Sequence, residues 1–201
     1  MNKTISIATV TSLALALAAC GPKAEQTADS AANGASNTLE AAGNMASNAV
    51  DATKDALTPT PSGQEFADKA AKSDAFEIAA AKLAATNAAA AGVKEFAATM
   101  LKAHTESTAK IKKAASEASP AITPDATLTS DQQDKLDSLG KLKGADFDKE
   151  YVDEQKDAHE DALSLMQDYA KNGDVPSLKT AAGEIAPVVQ KHLDMVKTLD
   201  K

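Results

Sequence analysis

Three histidines and one glutamate carry most of the chemistry that this 201-residue sequence could perform. His104, His159 and His192 are its only imidazoles, and each stands inside a repeat of apolar residues at helical spacing. His104 follows Val93, Phe96 and Met100 and precedes Ile111 and Ala115. His159 sits between Phe147, Tyr151 and Val152 on one side and Leu163, Met166 and Tyr169 on the other, and His192 between Leu178, Ala182, Ile185 and Val189 and then Val196 and Leu199. On an ideal helix Glu77 shares one face with Phe66, Ala70, Ser73, Ala80 and Ala84, which turns its carboxylate inward. Three imidazoles and a carboxylate, one from each of four helices, suit a transition-metal ion such as zinc, copper or iron. The same four side chains could instead form a buried polar network that fixes helix register. Because a buried carboxylate without a partner is costly, Glu77 is expected to contact at least one histidine under either reading.

The spacing also sets their height in a bundle. At a rise of about 1.5 Å per residue, Glu77 and His104 both lie roughly 20 Å from a turn near Ala91. His159 and His192 lie roughly 21 and 28 Å from a turn at Gly173. All four are therefore expected in one middle layer.

The elements that must position them are four long helices after Ser62. Ser62 and Glu65 have capping-box spacing at the start of the first, and Gly92 is read as its end. The second stops before Pro120. A longer connection then contains Pro124, a short capped helix from Ser130 through Leu136 and Leu139, and a break at Gly144. The third long helix closes at Asn172-Gly173, Asp174 is read as the N-cap of the fourth, and Pro187 within the fourth removes a hydrogen bond to Gly183 and should bend it near His192. Two hairpins joined by one longer crossover predict an all-α, antiparallel four-helix bundle over residues 62–201.

Ahead of it, residues 1–19 read as a signal peptide: Lys3, then an apolar run from Ile5 to Ala19, too short for the roughly 20 residues of a membrane span. It closes on Leu17-Ala18-Ala19-Cys20, which resembles the lipobox of bacterial lipoproteins, and Cys20 is the only cysteine. That resemblance implies a diacylglycerol on Cys20, a membrane as partner, and, with Gly21 rather than an aspartate next, an outer-membrane location facing the periplasm. Residues 20–61, rich in Ala, Asn, Ser, Thr and Gly, read as a tether, with an interaction helix along Leu39, Val50 and Leu57 as the sharper alternative.

Net charge is −8 and every one of the 21 basic residues is lysine. An acidic chain without arginine lacks the field and the bidentate donors that phosphate recognition favours, which argues against nucleic acid as a partner. Lys110, Lys112 and Lys113 read as a solvated face near a helix C-terminus. Phosphate-binding glycine loops and nucleophile elbows are absent from the sequence, so an enzyme here would have to be a metal-dependent oxidoreductase.

Glu77-Ile78, the run from Val93-Lys94-Glu95-Phe96-Ala97 through Met100 to His104-Thr105, Gly144 with Phe147-Asp148 and Tyr151, then His159, and Pro187 with His192-Leu193 together resemble the bacterial domain-of-unknown-function 4142 family, described as predicted outer membrane proteins of ferritin-like fold. The resemblance implies a ferritin-like bundle and places the family's recurrent polar core positions at Glu77, His104, His159 and His192. Ala103 departs from the acidic residue that usually precedes the second-helix histidine. A di-iron ferritin site also wants glutamate three residues before a histidine, where this chain has Leu101, Lys156 and Val189, so ferroxidase chemistry is not expected. The sequence thus points to a lipid-anchored envelope protein that binds a metal ion, with a non-catalytic structural or protein-interaction module, meeting an envelope partner, as the alternative.

Overall fold

A computed structural model of the chain describes residues 59–199, and the signal peptide, Cys20 and the tether up to Thr58 lie outside them. Five helices occupy the described residues: α1 (Gly63–Asn87), α2 (Ala91–Ser116), α3 (Ser130–Lys141), α4 (Gly144–Asn172) and α5 (Pro176–Lys197). The fold is all-α, as the periodicity predicts, and none of these helices is long and apolar enough to cross a membrane.

Local chemistry sets the boundaries. At the start of α1 the Ser62 hydroxyl accepts from the Glu65 N–H while the Glu65 carboxylate accepts from the Ser62 N–H, the reciprocal capping box its spacing predicts. Thr129 and Gln132 repeat the arrangement at α3. Helix α1 stops at Asn87, and Gly92 lies within the first turn of α2. The stop is made by a side chain distant in sequence: the Asp148 carboxylate accepts from the N–H groups of Ala89 and Ala90, at 3.1 and 2.8 Å, and so fixes the α1–α2 turn. Asp174 likewise does not cap α5. Val175 occupies that position with Pro176 at N1, where its missing N–H costs nothing, while the Asp174 carboxylate accepts from the Tyr169 hydroxyl at 2.8 Å. Gly144 begins α4 at φ 65°, the left-handed conformation that a glycine adopts without strain.

Helices α1 and α2 form one antiparallel pair, α4 and α5 the other; α2 also packs on α5 and α1 on α4. The segment between α2 and α4 carries α3, which packs against α1 and α4. The apolar core is divided. One cluster gathers Phe76, Ala84, Phe96, Met100, Phe147, Tyr151 and Val196. The other gathers Phe66, Ile111, Met166, Tyr169, Leu178 and Ile185, with Phe66 stacked on Tyr169 at 3.9 Å between centroids. Each long helix contributes to both clusters, and between them its sequence passes through Asp74 and Glu77, His104, Gln155 and His159, or His192. The polar residues therefore form a layer across the bundle with apolar packing above and below.

Candidate metal centre

Helical spacing brings this layer together. Asp74 and Glu77 are three residues apart on α1, and Gln155 and His159 four apart on α4, so each pair lies on one face of its helix. All six residues are buried, none more than 6% exposed. The rings of His104, His159 and His192 form a triangle with centroids 5.5, 5.7 and 5.9 Å apart. One nitrogen from each can be chosen so that all three lie within 4.8 Å of one another.

The partners of the other ring nitrogens settle the tautomers. His104 Nδ1 lies 2.8 Å from Asp74 Oδ1, and His159 Nδ1 lies 2.8 Å from the Gln155 carbonyl oxygen. A carboxylate and a carbonyl only accept, so both Nδ1 atoms carry the proton and donate. In the neutral rings the Nε2 atoms then hold the free lone pairs, and neither has a hydrogen-bond partner. His192 Nδ1 is unpartnered as well. The Asp74 carboxylate is itself held, its Oδ2 lying 3.1 Å from the Thr108 hydroxyl, which also reaches the His104 carbonyl at 2.8 Å and shares its one proton between them.

Glu77 sits beside this cluster without joining it. Its Oε2 accepts from Gln155 Nε2 at 2.6 Å and its Oε1 has no partner, so no hydrogen bond joins it to a histidine. Gln155, one turn before His159, takes that place, and Glu77 acts on the histidines through its charge. Tyr151, a further turn back on α4, buries its hydroxyl without a partner, and burial followed by the Glu77 charge pushes its ionisation far above the usual tyrosine range.

The three imidazoles differ in basicity. Burial opposes charging His104, but the hydrogen bond to Asp74 and the charges of Glu77 and Asp74 outweigh it and raise its pKa above the ordinary 6.5. His159 is held below that value, chiefly by burial. His192, facing no carboxylate, is driven down to about 4 by burial and then by the neighbouring His159 and His104. The layer therefore offers two imidazoles whose neutral form is favoured, His192 down to about pH 4, and a third oriented by a carboxylate. This is an arrangement common to metal-binding histidines, in which the outer carboxylate fixes the ring and strengthens it as a donor.

Every buried polar side-chain atom without a partner among the described residues belongs to this layer: His104 Nε2, His159 Nε2, His192 Nδ1, Glu77 Oε1, Gln155 Oε1 and the Tyr151 hydroxyl. Buried polar atoms in folded proteins are overwhelmingly paired, so six orphans gathered here set this level of the bundle apart from the rest of the core. Asp74 and Gln155 are the members of the layer that the sequence reading missed. Their signal was their position, three or four residues from a histidine or glutamate already placed on the inner face.

The sequence model of the family described as Domain of unknown function (DUF4142) matches residues 46–199. No curated protein matches the chain. Among solved structures, CopM in the Cu(II)-bound form superposes with a TM-score of 0.60 at 15% identity, covering 71% of this chain and 97% of that one. CopM in the Cu(I)-bound form gives 0.57 at 15% identity, covering 69% and 94%. At such identity the likeness is one of fold.

Proposed function

The chain belongs to the family described as Domain of unknown function (DUF4142), and on that footing we propose that it is a cell-envelope protein whose bundle binds one transition-metal ion through His104, His159 and His192. The observation that carries this reading is the set of three buried, unpartnered imidazole nitrogens gathered from three helices, two of them with the free lone pair fixed by a bond at the opposite ring nitrogen. Nitrogens on one tetrahedral ion at about 2.0–2.1 Å lie about 3.3 Å apart, so a small inward movement of the rings closes the set. Copper is the favoured ion: imidazole suits it, its divalent form binds nitrogen sites most tightly among the first-row divalent ions, and the two CopM structures to which this fold is similar are copper-bound forms. Zinc and iron follow. Glu77 supplies compensating charge beside the ion rather than a ligand of the three-nitrogen set. The lipobox at Cys20 supports a lipid anchor on an outer membrane facing the periplasm, which would hold the bundle where metal ions enter the cell.

The test is metal content. Purified full-length protein exposed to copper and then desalted should retain close to one ion per chain, and His104→Ala should lose it. Wild-type protein that retains none at neutral pH would end this reading. The second reading, a polar layer that only sets helix register within an envelope interaction module, is favoured by the Asp74–His104 pair. It expects the wild-type protein to retain no metal, and His104→Ala to lose stability because the Asp74 carboxylate is left buried without its partner.

A further inference from the structure

Two buried carboxylates stand in the polar layer, and their charges are met differently. Asp74 accepts from His104 Nδ1–H and from the Thr108 hydroxyl. Glu77, 1% exposed, has a neutral donor on Oε2, Gln155 Nε2, and nothing on Oε1. No lysine is among the buried residues described. With the three imidazoles neutral, as ligation of an ion requires, the layer therefore holds two negative charges and no positive one. Buried charge is costly unless an opposite charge lies beside it, so an ion of charge +2 balances the layer, whereas an ion of charge +1 leaves one carboxylate uncompensated.

We propose that Glu77 sets the class of ion that the three histidines hold: its buried carboxylate, with no cation of its own, selects a divalent ion over a monovalent one. The proposal rests on the reading of the centre given above and deepens it. Glu77 acts without touching the ion. Gln155 fixes it in place, donating from its side chain to the carboxylate while its backbone carbonyl accepts from His159 Nδ1, so charge and ligand are tied to one residue. The charge is felt at the ligands: in His104 and His159 burial opposes a positive ring and Glu77 favours it. The donor set points the same way. Soft thioether sulfur selects copper(I), but Met100 and Met166 belong to the apolar clusters on either side of the layer.

The midpoint potential of bound copper reads this choice, because it reports the ratio of the copper(II) and copper(I) affinities. Copper-loaded full-length protein is titrated with reductant while the copper(II) electron paramagnetic resonance signal is followed. Glu77→Gln keeps the shape and an acceptor for Gln155 but removes the charge. It should retain copper and raise the potential by at least about 59 mV, the equivalent of a tenfold loss of preference for copper(II). Gln155→Lys keeps the carboxylate and answers it with a cation; it should move the potential in the same direction, and it carries the test if Glu77→Gln fails to fold. Asp157→Asn removes an exposed carboxylate from the helix that bears His159 and should move the potential far less, because water screens that charge. A potential unchanged in the folded variants, or moved as far by Asp157→Asn, overturns this inference alone. Loss of copper from folded Glu77→Gln does so too, since the carboxylate would then be a ligand. A wild-type protein that takes up no copper overturns the reading of the centre and this inference with it.

Discussion

Asp74 decides which nitrogen of His104 is free. By accepting from Nδ1–H it leaves the free lone pair on Nε2, and this bond, with the charges of Glu77 and Asp74, keeps the ring basic. Asp74→Asn should lower the His104 pKa, seen by NMR titration, and weaken metal binding about 10- to 100-fold, as losses of such outer partners typically do; calorimetry showing unchanged affinity would refute that role. His159 and His192 have depressed pKa values, so below about pH 6.5 these two sites bind more protons in the unfolded chain than in the folded one. Their stabilising contribution is complete above about pH 6.5 and is lost as pH falls, for His192 through its folded value of about 4, on the order of 3 kcal/mol at most. His104, raised, works in the opposite sense: its contribution is present below about 6.5 and fades as pH rises through its folded value. Urea titrations of metal-free protein at pH 7.5 and 4.5 should show the loss, and His192→Gln should show less of it. At this scale the sequence was legible at His104, His159 and His192, where an imidazole interrupts an apolar stripe, but not at Asp74 or Gln155. It was less so at Glu77, whose inward placement was right but whose partner is Gln155, because a pairing between helices depends on side-chain reach that periodicity does not encode.

Helix positions were legible from stripes and caps, helix ends only where the cap was local. Ser62 with Glu65 marked the start of α1 correctly because both groups lie within one turn. The end of α1 at Asn87 was hidden, since the turn that follows is held by Asp148 from the other hairpin, and Gly92 offered a false stop. At Asp174 the residue type was that of an N-cap, yet the nearby Tyr169 hydroxyl takes the carboxylate instead. The α4–α5 turn is also a place where an added side chain meets fixed backbone. A Cβ on Gly173 would stand 2.6 Å from both the ring and the carbonyl oxygen of Tyr169. Gly173→Ala should therefore displace Tyr169 from its stack on Phe66 and from Asp174, costing about 1–3 kcal/mol, whereas Ser62→Ala should cost about 1 kcal/mol. Thermal denaturation of the two variants side by side checks the order; a Gly173→Ala protein as stable as wild type would show that the turn relaxes freely.

For the whole molecule, the division of the core into two apolar clusters around one polar layer is the feature that joins fold to function. A bundle with apolar residues throughout would pack without orphaned atoms, so the layer imposes a cost that a bound ion would relieve. X-ray absorption at the metal edge, on full-length protein carrying the copper or zinc it retains, reads the ligands directly. The account predicts three imidazole nitrogens at about 2.0–2.1 Å, reduced in number by His159→Ala. A spectrum dominated by sulfur, or by oxygen without imidazole, or one indifferent to removal of His159, would contradict it.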